Sequence, residues 1–293
     1  MNIVILSRSS ALYSTQSLIN AARARGHFVQ VLDHQYCDML IESGKMKVYY
    51  NGYSVEGIHA IIPRIGASVT ETGASIIRQF QGMGVYTLLE ADSLVKARNK
   101  LISLQILAKE NIPVPKTICT NYTEDMEGFL TLIDEYPMII KWINSTHGVG
   151  VVKAESKSNA VSIMEAFIRM KGRSIAQEFI KEAEGVDIRS FVIGDKVVAS
   201  MQRTAKEGEF RSNLHRGGNA KVIQLTAEET RISIESAKVL GLNVAGVDIL
   251  RSERGPLVIE VNASPGLEGI ETTTNLDIAS KIITYVERNA KYI

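Results

Sequence analysis

The sequence predicts an α/β fold built from α+β lobes, and two observations carry this prediction. Near the start, two short apolar runs at residues 3–6 and 28–32 flank a helical pattern that stops at Gly26. Strand, helix and strand within about 30 residues form a βαβ unit, which favours a parallel sheet. Near residue 90 the alternation of strands and helices gives way to consecutive helical patterns, and this change indicates further lobes.

Length, charge and cysteine content restrict the class of protein. The chain has 293 residues, with 33 Lys and Arg against 32 Asp and Glu, which gives no support to a general binder of nucleic acid or anionic membranes. No apolar run approaches the ~18–20 residues of a membrane span, and the apolar start is too short for a signal peptide. Two cysteines are too few for a disulfide framework or a zinc site. We expect a cytoplasmic protein without a direct nucleic-acid or membrane partner.

The first two predicted domains are an N-terminal α/β domain at residues 1–94 and a central lobe at 95–183. Further strands of the first domain are expected at residues 60–63 and 85–88. Residues 91–110 form one or two helices, which the two prolines of residues 111–115 end. The central lobe then alternates strands at 138–142, 149–152 and 175–180 with a helix at 158–170.

The third predicted domain is a C-terminal lobe at residues 184–293. Residues 187–192 and 196–201 read as a hairpin that turns at Gly194. A polar stretch follows, and then a helix at 226–240 in which Thr226 and Glu229 form a capping box. A second hairpin pairs residues 244–250 with 257–262, and the chain ends on a helix at 277–289. The second and third lobes packing as one unit is an open alternative.

A metal site is indicated by the second hairpin. Residues two apart on a strand face the same side, so Glu260 and Asn262 point together while Ile259 and Val261 point into the core. Asp248 reaches the same face if the two segments pair. Carboxylates ~4 Å apart repel by about 4 kcal/mol at an effective dielectric near 20, which a cation would relieve. Hard oxygen ligands suit Mg²⁺. A solvated acidic strand face is an equal alternative.

Basic residues and a glycine-containing loop predict contacts to phosphate. Lys141 interrupts an apolar strand, where it either projects into a cleft or guards a sheet edge. Lys100 lies in a basic helical segment that is otherwise read as a solvated face. The loop of residues 145–150 is compatible with phosphate binding or with a plain turn. The polar stretch at residues 202–218 is interpreted as a phosphate- and carboxylate-binding loop, with a flexible basic loop as the alternative. Its cationic and amide side chains are Arg203, Lys206, Arg211, Asn213, His215 and Arg216.

Six stretches in this order resemble the ATP-grasp superfamily and, within it, the RimK group of ribosomal protein S6–L-glutamate ligases. They are PRIG at 63–66, RNK at 98–100, QEFIKEA at 177–183, AKEGEFRSNLHRGG at 205–218, AGVDIL at 245–250 and EVNASPGLEGIE at 260–271. The resemblance implies an ATP-grasp fold preceded by a βαβ pre-ATP-grasp domain. The loop before Thr146 departs from the family pattern, because Ser145 stands where Gly is common.

The resemblance also implies roles for individual residues. Those implied to bind the nucleotide and its phosphates are Lys100, Lys141, Thr146, Gly148, Gly150, Glu178, Phe179, Ile180, Lys181, Asp187, Arg211, Ser212 and Asn213. Arg203 and Lys206 are the implied catalytic residues, with Arg203 steadying an acyl phosphate. Asp248, Glu260 and Asn262 are the implied ligands of Mg²⁺, or of Mn²⁺ in its place, with two ions expected.

The implied reaction joins a carboxylate to an amine. ATP phosphorylates the carboxylate, the amine of L-glutamate attacks the acyl phosphate, and ADP and phosphate leave. The expected acceptor is the acidic C-terminal tail of ribosomal protein S6 or a poly-glutamate chain, and relatives suggest a homotetramer. Alternatives are a small-molecule acceptor, such as a cofactor or N-acetylated amino acid, an ATP-binding regulatory protein without turnover, and a kinase.

Overall fold

A parallel sheet organises the first third of the chain in this computed structural model. The structure describes residues 1–120, 124–133, 135–143, 150–183, 185–212 and 217–290. Strands run in the order β2-β1-β6-β7, and all three pairings are parallel, which confirms the βαβ prediction. The elements are β1 (Asn2–Leu6), α1 (Tyr13–Ala24), β2 (Phe28–Leu32), β3 (Cys37–Glu42), β4 (Lys45–Tyr50), β5 (Tyr53–Ser54), β6 (Ala60–Pro63), α2 (Thr70–Gly82) and β7 (Tyr86–Thr87).

Strands β3, β4 and β5 form a separate antiparallel sheet that was not expected from the sequence. Their side chains are mostly half-buried or exposed, so the strands lack the apolar signal of a core strand. The side-chain amide of the buried Gln79 on α2 donates to the backbone oxygens of Leu40 and Lys47, which ties this sheet to the helix beneath it.

The central segment forms a four-stranded sheet in the order β10-β9-β11-β8, covered by helices. Two consecutive helices precede it, and Asn99 ends the first and caps the second. The elements are α3 (Ala91–Arg98), α4 (Lys100–Lys109), β8 (Thr117–Cys119), α5 (Met126–Leu130), β9 (Met138–Trp142), β10 (Val151–Ala154), α6 (Lys157–Arg169) and β11 (Ser174–Glu178).

The last segment is a five-stranded antiparallel sheet in the order β14-β13-β12-β15-β16. Both predicted hairpins are confirmed, as are the turn at Gly194, which has a positive φ of 59°, and the capping box of Thr226 and Glu229. The elements are β12 (Val186–Ile193), β13 (Lys196–Thr204), β14 (Asn219–Val222), α7 (Ala227–Val239), β15 (Val244–Ser252), β16 (Gly255–Asn262), α8 (Glu268–Thr274) and α9 (Ile278–Asn289).

The hydrophobic cores do not follow the chain order. Apolar residues of the first and last segments mix in two clusters: Val4 and Ile61 share one with Val247, and Ile3 shares the other with Ile282. The central sheet packs on a cluster of its own, around Met138 and Ile140. The predicted domain boundaries stay a prediction. Within the described part of the chain, no helix combines the length and the apolarity that a membrane crossing needs.

Candidate active site

A large cleft, of about 940 Å³, lies between the central sheet, the first parallel sheet and the five-stranded sheet. Its wall collects side chains from β9, β11, β12, β13, β15 and β16, together with residues that follow β1 and β6. Twelve of the predicted site residues line it: Lys100, Lys141, Glu178, Phe179, Ile180, Asp187, Arg203, Arg211, Ser212, Asp248, Glu260 and Asn262. Residues far apart in sequence are thus brought to one place.

Three other predicted residues lie away from the cleft lining. Lys206 is exposed in a turn, and its side chain covers Gly217, where a Cβ would lie 2.3 Å from the lysine Cε. Lys181 is exposed in a single 3-10 turn, and Gly150 accepts a backbone hydrogen bond of 2.8 Å from Trp142. The predicted residues Thr146, Gly148 and Asn213 lie outside the described residues, as do Ser145, His215 and Arg216.

Strands β15 and β16 bring the predicted metal ligands together. Asp248 is directly opposite Glu260, and Asn262 is opposite Gly246. One prediction is wrong: Ile259 is half-buried in the cleft wall instead of lying in the core. The register shifts at this point, so Asp248 pairs with Glu260 and the next residue pairs with Val258, which leaves Ile259 as an extra residue without a partner. Such a bulge breaks the alternation of faces.

Asp248 is neutralised by arginine in this structure. Arg189 donates to both of its carboxylate oxygens, at 2.7 and 2.6 Å, and Nη2 of Arg203 lies 3.0 Å from Oδ2. Burial disfavours the charged form of Asp248, but these two guanidinium groups hold its pKa below the usual value. The repulsion expected between Asp248 and Glu260 is therefore relieved by guanidinium groups already in the fold.

Arg203 links Asp248 to a second carboxylate. Its Nε and Nη2 donate to the two oxygens of Asp187, at 2.7 and 2.5 Å. All three side chains are almost fully buried, with residue exposures of 3% for Arg203, 6% for Asp187 and 3% for Asp248. Burial alone would lower the pKa of Arg203, but the two carboxylates raise it above its ordinary value. Arg203 is therefore a fixed cation held at one geometry.

A divalent cation fits the Glu260 side of this cluster. The Glu260 carboxylate forms no hydrogen bond or ion pair with any described residue, and the amide of Asn262 makes only a long 3.4 Å contact to Gly246 O. No group of three His, Cys, Asp or Glu side chains suited to a metal occurs among the described residues, so the protein alone offers few ligands. A magnesium ion here would combine Glu260, Asn262 and Asp248 with oxygens of a bound phosphate, and Mg²⁺ is commonly held by one or two carboxylates together with phosphate.

The two predicted phosphate lysines lie close to this acidic group. Burial lowers the pKa of Lys141 to about 8, while the charge of Glu260 opposes that shift. Its Nζ donates to Oε1 of the buried Gln177 at 2.6 Å, and Gln177 donates to Oγ1 of Thr117 at 2.8 Å. Burial also lowers the pKa of Lys100, again opposed by Glu260. Because β9 is an inner strand, Lys141 does not guard a sheet edge, and the structure supports the hypothesis that it projects into the cleft.

The strand that ends at Glu178 is tied to the tip of the second hairpin. Oε1 of Glu178 accepts from the backbone N–H of Lys116 and from Nη2 of Arg254, both at 2.5 Å. Next to it, the ammonium group of Lys153 lies 5.0 Å from the centre of the Phe179 ring. These contacts hold residues 178–180 as one wall of the cleft.

Arg211 is held in place by a neighbouring carboxylate. Its Nε and Nη2 donate to Glu209 at 3.0 and 2.6 Å. These hydrogen bonds lower the pKa of Glu209 to about 2. Ser212, the next residue, is buried at the same wall.

Comparison with known proteins identifies the family of this chain. Residues 97–286 match the RimK-like ATP-grasp domain, and residues 1–94 match the RimK pre-ATP-grasp domain. The chain belongs to the RimK-like ATP-grasp family. It is therefore an ATP-dependent carboxylate–amine ligase, and such ligases bind ATP together with Mg²⁺.

Two relatives of this RimK-like chain match along its whole length. Each is described as a probable alpha-L-glutamate ligase and is 51% identical: one from Thioalkalivibrio sulfidiphilus covers 99% of this chain and 97% of its own, and one from Nitrosococcus oceani covers 99% and 96%. The ATP-grasp ligase PsnB, solved with a variant of its minimal precursor, Mg and ADP, shares the fold with a TM-score of 0.75. It is 21% identical, with 99% of this chain and 98% of that chain covered.

Four of the arginines that line the cleft of this RimK-like chain have no role predicted from the sequence: Arg8, Arg64, Arg98 and Arg189. One signal could have found two of them. Arg8 comes shortly after β1 and Arg64 directly after β6, and the carboxyl ends of parallel strands are where open α/β sheets bind ligands. Arg189 lies among apolar residues of β12, a strand that also carries Asp187 and Ser190, so the strand pattern alone gives a weaker signal for it than for Lys141.

Proposed function

We propose that this ligase joins L-glutamate to an acidic C-terminus, that of ribosomal protein S6 or of a growing poly-glutamate chain. The observation that carries the proposal is the charge of the cleft. Among the described residues, eight basic side chains line it against five acidic ones, although the whole chain is nearly neutral. Such an excess of basic side chains attracts ATP, glutamate and an acidic tail alike. The names of the two full-length relatives support glutamate as the amine substrate.

The chemistry begins at the acceptor carboxylate, which is a poor electrophile because its oxygen is a bad leaving group. A carboxylate oxygen attacks the γ-phosphorus of ATP, the bond to the β-phosphate oxygen breaks, and ADP leaves. The amine nitrogen of L-glutamate then attacks the acyl carbon, loses a proton, and expels inorganic phosphate. The side chains described here supply positioning and charge neutralisation.

Each predicted residue has a place in this scheme. Lys100 and Lys141 hold the phosphates, and the segment from Glu178 to Lys181 meets adenine through its backbone. Arg203 steadies the acyl phosphate, since it is a buried cation fixed by two carboxylates. Asp187 contacts the ribose; this requires its oxygens to accept from the sugar while they also accept from Arg203.

The remaining assignments rest on the resemblance. The proposed phosphate-side contacts are Thr146, Gly148, Gly150, Arg211, Ser212 and Asn213. Lys206 is proposed to act in catalysis, for which its side chain has to leave Gly217 and turn to the cleft. Asp248, Glu260 and Asn262 are proposed to hold two Mg²⁺ or Mn²⁺ ions, which would offset the negative charge of the phosphates. The protein is proposed to be a cytoplasmic homotetramer.

Release of ADP tests the proposal directly. The enzyme is incubated with ATP, Mg²⁺ and L-glutamate, with and without a peptide ending in the acidic tail of S6, and the peptide mass is measured in parallel. We expect ADP release to require the peptide and the peptide mass to rise by whole glutamate residues. Release with glutamate alone, together with glutamate chains in the product, would assign the poly-glutamate activity.

A control variant and a salt series accompany this assay. The variant Arg78→Gln removes an exposed arginine that pairs with Asp92 outside the cleft, and it should behave as the wild type. High salt should raise the KM for the tail peptide, because the attraction is electrostatic. If neither peptide nor glutamate stimulates ADP release, the proposed acceptor is wrong and small-molecule carboxylates are to be tested.

A further inference from the structure

Three arginines gather where the first sheet meets the cleft. Arg8 comes shortly after β1 and Arg64 directly after β6, and these neighbouring parallel strands end at the same edge. Arg98 is the last residue of α3. All three line the cleft, and none of them forms an ion pair with a carboxylate among the described residues. We refer to Arg8, Arg64 and Arg98 as the arginine group.

Backbone contacts hold two members in place. Nη2 of Arg64 donates to Pro265 O at 2.8 Å, and Nη2 of Arg98 donates to Ile65 O at 2.6 Å. Each guanidinium keeps further N–H donors, and the buried Nε of Arg98 has no hydrogen-bond partner in the described part of the chain. The fold therefore fixes these side chains while leaving donors available.

The third member is positioned by a glycine. A Cβ at Gly66 would lie 3.2 Å from Nη2 of Arg8, which is tighter than ordinary contact. Because Gly66 has no side chain, the Arg8 guanidinium can lie against the backbone beside Ile65, whose oxygen Arg98 holds. Arg8 is itself exposed, so its charge faces the open part of the cleft.

Three guanidinium groups in one part of the cleft indicate an anionic ligand. Burial and the nearby charge of Arg98 lower the pKa of Arg64 to about 10, so the two side chains repel one another. Elsewhere in the cleft the arginines are neutralised, Arg189 by Asp248 and Arg203 by Asp187 and Asp248. Among the described residues no carboxylate forms an ion pair with the arginine group, although the charge of Glu260 acts on Arg98 from a distance, and a bound anion would supply a direct partner.

We propose that the arginine group binds the side-chain carboxylate of a glutamyl substrate and thereby selects glutamate over glutamine. This rests on the proposed function, in which both the amine substrate and the acceptor tail carry such carboxylates. A planar guanidinium donates two parallel hydrogen bonds that match a carboxylate. Arg98 lines the same cleft as Lys100, Lys141 and Glu260, so the bound carboxylate would share the cleft with the residues proposed to hold the phosphates and the metal.

The test compares acid and amide ligands on matched enzymes. Wild type, Arg8→Gln, Arg98→Lys and the control Arg78→Gln are loaded with ADP and Mg²⁺. Their affinities are measured by calorimetry for L-glutamate and L-glutamine, and for tail peptides with Glu or Gln side chains. Because Arg8 makes no hydrogen bond to another described residue, Arg8→Gln should leave the fold intact. Unchanged ADP affinity checks this.

The expected result is loss of discrimination. Wild type should prefer an acid ligand over its amide, and Arg8→Gln should weaken the acid ligand by about 10- to 100-fold while changing the amide ligand little. Arg98→Lys keeps the positive charge but loses the planar guanidinium that donates two parallel hydrogen bonds. This variant should lose part of the preference for acid over amide ligands. A change confined to glutamate, or to the peptide, identifies which substrate the group holds.

Two results would overturn the assignment. One is an acid-over-amide preference that is the same in wild type, Arg8→Gln and Arg98→Lys. The other is a wild type that binds neither acid ligand. Failure of the proposed function gives a different pattern, since the acid ligands would still bind and depend on Arg8 while no ligated product forms.

Discussion

Replacing Lys141 with methionine should stabilise the protein while it weakens ATP binding. Burial holds the pKa of this lysine at about 8, compared with 10.5 for an ordinary lysine. Keeping the ammonium group protonated at this position therefore costs roughly 3 kcal/mol at neutral pH, since each pKa unit corresponds to ~1.36 kcal/mol. Glu260 and Asp248 attract the charge and Lys100 repels it, and these effects are part of that pKa.

Two effects reduce the expected gain. The side chain is only half-buried, so water screens part of the cost. Methionine also removes the hydrogen bond to Oε1 of Gln177, and leaving that buried oxygen without a partner costs about 1–3 kcal/mol. We therefore expect Lys141→Met to raise the free energy of unfolding by roughly 1 kcal/mol at pH 7.

The sign of the pH dependence follows from the same pKa. Between about pH 8 and pH 10.5 the unfolded chain binds a proton that the folded protein has released, so the wild type gains stability as the pH rises. The advantage of Lys141→Met should therefore shrink from pH 7 to about pH 9.5.

Trp142, the only tryptophan, is the next residue on the same strand, so urea unfolding followed by its fluorescence reports on the central sheet. The exposed Lys196 provides a matched control, and Lys196→Met should show no such pH effect. If Lys141→Met lowers the urea midpoint at pH 7, or if its difference from wild type is the same at both pH values, then burial is not what depresses the pKa of Lys141. ATP affinity, measured by calorimetry, should fall by about tenfold or more.

Other substitutions test the remaining contacts of the cleft. Arg203→Met leaves Asp187 buried without its partner and should lower the free energy of unfolding by about 3–5 kcal/mol; wild-type turnover in this variant would refute the acyl-phosphate role. Glu260→Gln should weaken Mg·ADP binding at least about tenfold while leaving the affinity for metal-free ADP, measured with a chelator, unlowered. Arg254→Met removes an ion pair that is largely exposed on the arginine side, so the KM for ATP should rise by less than about fivefold; a far larger rise would mean that Arg254 fixes Glu178 for adenine.

The sequence predicted those parts of the fold that depend on local patterns. The capping box at Thr226, the turn at Gly194 and the facing positions of Asp248 and Glu260 follow from hydrogen bonding and strand periodicity within a few residues. The bulge at Ile259 breaks that periodicity by one residue, and strand alternation alone cannot locate it.

Contacts between segments that are distant in sequence could not be predicted from such local patterns. The pairing of Arg189 and Arg203 with Asp248 depends on which strands become neighbours, and β12 lies between β13 and β15 only in the folded sheet. The same holds for Arg8, Arg64 and Arg98. Arg64 and Arg98 lie in stretches that resemble the family, but no local pattern places them beside Arg8; they become a group because β1 lies beside β6 and α3 ends nearby.

The mixing of the first and last segments in common hydrophobic clusters has a consequence for biosynthesis. When the first parallel sheet leaves the ribosome, part of the two clusters that hold Val4 and Ile3 has not been made, because Val247 and Ile282 come roughly 240 to 280 residues later. The central sheet can bury Met138 and Ile140 as soon as its own strands are complete. The nascent chain must therefore carry an exposed apolar surface at its start until translation is nearly finished. A chaperone that binds early, or a truncation before α9, would act on that surface first.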